Sequence, residues 1–146
     1  MNQFDSFCEQ LCAALGVSDP VALQTTGLTV AGETVVVQHD EDFDFGVHVL
    51  MDIGNVTDAA TRADVFGALL TLNLALPVEE SLSFCQHEVT GRLLLRGFVT
   101  EAEASVEGLA ERIRHWTGWV GELRTGPLAA VHRSDHDKHW LHEICA

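Results

Sequence analysis

The chain has 146 residues and a formal charge of −14, from 22 acidic and 8 basic side chains, with Lys138 its single lysine. At 47% hydrophobic and 21% charged residues it is apolar enough to bury one core and too apolar for a disordered chain. The charge repels phosphate backbones and anionic lipid, which argues against nucleic-acid and membrane-surface roles and suits a basic protein partner.

Phe4, Phe7, Cys8, Leu11, Cys12 and Leu15 recur at helical spacing, which predicts an amphipathic first helix capped by Asn2 and stopped by Gly16. The start Met1, Asn2, Gln3, Phe4, Asp5 lacks the basic residues of a signal peptide, and no apolar run approaches the roughly 18 residues of a membrane span. A cytoplasmic protein is expected. Cys8 and Cys12 lie on the helix's apolar face and Cys85 in a predicted strand, so these three read as small core hydrophobes of a reducing compartment.

Pro20 and Gly27 mark a loop, after which Leu28 to Ala31, Thr34 to His39 and Phe45 to Ile53 read as three strands. In the third, Phe45, Val47, Val49, Met51 and Ile53 share one face, and Gly46, His48, Leu50 and Asp52 the other. Gly32 with Glu33, and the acidic stretch Asp40 to Asp44, are the expected turns. Asp40, Asp42 and Asp44 imitate the start of a calcium loop. Phe45 stands where that loop needs Gly and Met51 where it needs a bidentate Glu, so a solvated turn is expected.

From about Ala59 to Leu76 the pattern is helical, but Val65, Phe66, Leu69, Leu70, Leu72, Leu74 and Leu76 cover more of the circumference than one core stripe needs. Such a helix must be covered on two sides, and the sheet and a second subunit are the candidate covers. Pro77 ends it. Leu82 to Glu88 and Leu93 to Val99 form two more strands around a turn at Thr90 and Gly91, and Thr100 with Glu103 has the spacing of a capping box for a last helix. Its stripe is Val106, Leu109, Ile113, Trp116, Val120 and Leu123, closed by Gly126 and Pro127, with Trp119 off the stripe as a contact candidate. Strands grouped in meanders predict an α+β fold with an antiparallel twisted sheet, order α-β-β-β-α-β-β-α, and helices packed on it.

No nucleophile elbow surrounds any Ser, no Gly-rich phosphate loop carries a Lys, and His39, His48, His87 and His115 stand singly. A non-enzymatic protein without cofactor is the expectation. The tail after Gly126 concentrates His132, Asp135, His136, Asp137, His139, His142, Glu143 and Cys145. No second ligand pair matches a structural-zinc spacing, so a solvated or loosely packed tail is preferred. His136, His139 and His142 are the candidate ligands of the alternative reading, a small metal-binding or metal-dependent protein.

The stretch Leu69-Leu70-Thr71-Leu72-Asn73-Leu74, the hairpin with Thr90-Gly91-Arg92 and Leu93-Leu94-Leu95, and a helix carrying Trp116 and ending at Leu123 resemble the class I type III secretion chaperones over residues 3 to 124. The resemblance implies a chaperone-like domain at 1–126, and the His-rich tail at 127–146 departs from it, since such chaperones commonly end soon after the last helix. It implies a homodimer in the bacterial cytoplasm that holds the N-terminal region of a secreted effector extended and secretion-competent without nucleotide. By the same resemblance the second predicted helix and the following hairpin form the dimer interface, at Leu69, Leu72, Leu76 and Phe84. The client would lie on the first helix and the sheet, with Phe4, Phe7, Leu28 and Val30 lining a groove and Val35, Val37, Val47 and Val49 supplying a sheet face.

Overall fold

Alternation and turn chemistry put five strands into one antiparallel sheet, which a computed structural model describes over residues 3–41, 46–100 and 105–133. The strands are β1 (Leu28–Val30), β2 (Glu33–Asp40), β3 (Gly46–Gly54), β4 (Leu82–Gln86) and β5 (Leu93–Thr100), in the order β1-β2-β3-β5-β4. The hairpin from β1 to β2 turns through Ala31 and Gly32, both at positive φ, the backbone a two-residue hairpin loop requires. Glu33 therefore begins β2 rather than completing the turn.

Three longer helices lie on one face: α1 (Gln3–Leu15), α3 (Ala59–Ala75) and α4 (Val106–Leu123). A short α2 (Pro20–Gln24) stands where a loop was expected. Pro20 at its first turn and the Asp19 side chain, which accepts from Ala22 N at 2.9 Å, are its start signals. Five residues are too few to show a periodicity.

The core is the alternate-residue face of β2 and β3 under the helices. Val35, Val37, Val47, Val49, Met51 and Ile53 meet Cys8, Leu11 and Cys12 of α1 and Leu109, Ile113, Trp116 and Val120 of α4. Trp116 packs closely on β5 because residue 97 is glycine: a Cβ there would sit 2.9 Å from the indole. On the opposite face Val36, Leu50 and Leu94 form a small second cluster, with Cys85 against it.

Two expectations are corrected. Thr100 is the last residue of β5, and α4 is capped by Ser105, whose hydroxyl accepts from Gly108 N at 3.0 Å. A threonine in register opposite Gly46 extends the ladder, and the strand outcompetes the local cap. The segment after Pro127, expected to be loosely packed, enters the core as far as it is described. Leu128 and Val131 are buried, and His132 exchanges backbone hydrogen bonds with Asn55 at 2.9 and 3.0 Å. A buried carboxylate fixes this segment: Glu33 accepts from Arg124 at 2.7 and 3.0 Å and from Arg133 at 2.9 Å.

Candidate partner-binding surface

Helix α3 starts at Asp58, whose carboxylate accepts from Thr61 N at 2.8 Å. A hydrogen bond from the Thr61 hydroxyl, and after it this backbone one, holds the Asp58 carboxyl below its ordinary pKa. Arg62 stacks over Phe66 at 5.2 Å and its guanidinium reaches Gly91 O, joining the helix start to the β4–β5 hairpin. Val65 and Leu69 are buried and Leu72 and Leu76 half-buried, the i, i+4, i+7, i+11 stripe of one helix face.

The remaining leucines point away from the chain. Leu70 is 69% exposed, Leu74 89%, and Val78, in a 3-10 turn after Pro77, 89%. Between Val65 and Val78 no ionisable side chain occurs, in a chain of net charge −14. An open groove of about 170 Å³ runs beside this ridge, between Phe66, Leu69, Leu70 and Asn73 on α3 and Phe84 and Leu93 on the sheet. An exposed apolar ridge of this kind marks a contact surface.

The structure thus separates the expected interface residues. Leu69 and Phe84 share the groove, with Phe84 6% exposed. Leu72 and Leu76 face a second depression, shared with Trp116 and Trp119 of α4. Trp119 is half-buried and its ring meets Phe84 at 5.5 Å. Leu70, Leu74 and Val78 carry the exposed surface. The sequence flagged the excess of apolar residues on this helix without fixing which of them turn outward.

The expected client residues divide the same way. Val35, Val37, Val47 and Val49 are at most 1% exposed, beneath α1 and α4, so their sheet face is the chain's own core. Phe7 and Val30 are nearly buried, while Phe4 and Leu28 are half-buried. Phe4 stacks on His39 at 5.2 Å and on Phe7 at 6.3 Å, an aromatic rim where α1 begins over β2.

Burial pushes the Cys8 thiol up to about 12, helped by negative charge at Cys12 and Asp5. Burial also raises Cys12, and raises Cys85 against the lowering influence of Arg96. These thiols stay protonated and inert at neutral pH. Among the described residues no group of three His, Cys, Asp or Glu side chains is arranged to hold a metal, and no helix is long and apolar enough to cross a membrane. His136, His139 and His142, like Asp42, Asp44, Glu103 and Trp140, lie outside the described residues.

No family model matches the sequence, and neither does any curated protein. The fold is similar to a chain in the structure of the HopA1-SchA chaperone-effector complex, at 13% identity and a TM-score of 0.57, covering 86% of this chain and 99% of that one. It is also similar to a chain in the ExsC-ExsE complex, at 11% identity and a TM-score of 0.54, covering 85% and 92%. The five-stranded antiparallel sheet with its helices is therefore a fold shared with both of those chains, and it is the α+β architecture that the resemblance in the sequence implied.

Proposed function

We propose that this protein is a cytoplasmic, non-enzymatic chaperone that binds the N-terminal segment of a type III secreted effector and keeps it secretion-competent without ATP. The observation that carries the reading is a fold shared almost end to end with a chain from a chaperone-effector complex. A second support is the uncharged ridge of Leu70, Leu74 and Val78, which suits a homodimer through α3 and the following hairpin. Leu69 and Phe84 floor that interface, and Leu72 and Leu76 border it.

The client surface in this reading is the aromatic rim of Phe4 and Phe7 with Leu28 and Val30, and the core valines beneath hold it rigid. Among the described residues the nearby strand β1 is a sheet edge. Val30 and Glu33 close a two-residue hairpin, so alternation turns the backbone of Thr29 outward. An extended segment can pair there, adding a strand while its side chains fill the groove.

The test is to purify the protein from its host and digest the complex with protease. The expected outcome is a protected fragment from the N-terminal region of one secreted protein. A fragment from a folded interior domain, or no protected partner, contradicts the reading.

A further inference from the structure

A sheet edge presents outward N–H and C=O groups that template pairing with another strand. Among the described residues strand β4 is such an edge, since it pairs there with β5 alone. Just beyond it, His87 N donates to Arg92 O at 2.8 Å, so residue 87 turns its backbone inward. Alternation turns Cys85 and Ser83 the same way and leaves Leu82, Phe84 and Gln86 facing out. Phe84 is the middle one of the three, and both its groups are taken. Its N–H donates to Asn73 Oδ1 at 2.7 Å, and Asn73 Nδ2 donates to its carbonyl at 3.0 Å.

A carboxamide offers the same donor and acceptor as a peptide unit, so one side chain of α3 occupies the seat of one residue of a sixth strand. Only an amide can do this: a carboxylate lacks the donor and a leucine lacks both groups. We propose that Asn73 is an edge guard, a specificity-determining residue that closes β4 to strand pairing with a second copy of this chain. The apolar ridge of α3 beside it draws copies together. With the edge closed, they meet through side chains and do not merge their sheets. The inference stands on the two hydrogen bonds and holds whether or not an effector is bound.

Two measurements test it. Amide exchange by NMR on the unmodified protein should find the Phe84 N–H slower than the outward Gln86 N–H by about 100-fold or more, the difference between a bonded and an open edge group. Equal rates overturn the proposal, and this arm needs no variant. Asn73→Ala, checked for folding by circular dichroism, should form concentration-dependent assemblies larger than those of the unmodified protein. Adding Gln86→Pro, which removes an edge N–H, should return Asn73→Ala to the unmodified size. A folded Asn73→Ala of unchanged size, or assemblies indifferent to Gln86→Pro, would leave Asn73 a merely stabilising contact and overturn the guard.

Discussion

Glu33 shows how much one residue holds. Its carboxylate is 1% exposed and accepts from Arg124 and Arg133, while Arg124 also donates to Ile53 O at 2.8 Å. One buried anion thereby ties the start of β2, the end of β3 and the segment around residues 128–133. Glu33→Ala leaves Arg124 buried without its anion, which costs about 3–5 kcal/mol when one partner of such a pair is removed. Chemical denaturation should read that loss, with the Asn55–His132 amides losing their exchange protection first. This network was not legible in the sequence, because partners 91 and 100 residues apart leave no local pattern.

Cys8 and Cys12 were legible in kind as small core hydrophobes, whereas Cys85 is only half-buried against the outer cluster; burial is the first cause of each raised pKa. The linkage has a definite sign. A Cys8 thiol ordinary when unfolded and at about 12 when folded favours the native state fully below pH 9, and that contribution is lost as pH rises from about 9 to 12. Cys8→Ala should flatten the stability profile over that window in alkaline unfolding curves. A profile as steep as that of the unmodified chain would assign the alkaline loss to other groups.

At the scale of elements, the strands were the most readable because a period of two is unambiguous in β3. The caps were less so. Thr100 and Ser105 both precede helical sequence, and only the pairing of Thr100 with Gly46 decides for the strand. Ser105→Ala should then cost about 1 kcal/mol by thermal or chemical unfolding, the usual loss for an N-cap hydroxyl, while Thr100→Ala should leave the start of α4 in place. For α3, composition revealed the surplus of apolar side chains, but the direction of each depends on rotation about the helix axis. Docking fixes that rotation through Val65 and Leu69. Leu74→Asp should weaken self-association without unfolding the chain, since Leu74 is 89% exposed, whereas Leu69→Asp, at a 4% exposed position, should unfold it. Sedimentation and circular dichroism separate the two.

The whole molecule carries a charge of −14, so two copies repel each other except across a face without charges. The ridge from Val65 to Val78 is such a face. Each buried leucine contributes about 1.5–3 kcal/mol and counts twice in a two-fold interface. Because added salt screens the repulsion and leaves apolar contact intact, self-association should tighten between low and physiological ionic strength. Element order, acidity and the surplus on α3 carried the fold into view from sequence. The assignment of Val35, Val37, Val47 and Val49 to the chain's own core did not appear there, since an apolar strand face suits a core and a client groove equally until the helices cover it.

The measurement that bears most directly on the proposed function is native mass spectrometry of the protein purified from its own host. Two copies of this chain with one larger protein bound through its N-terminal region are expected. A single copy carrying metal and no protein partner would contradict it and shift attention to the histidines beyond residue 133.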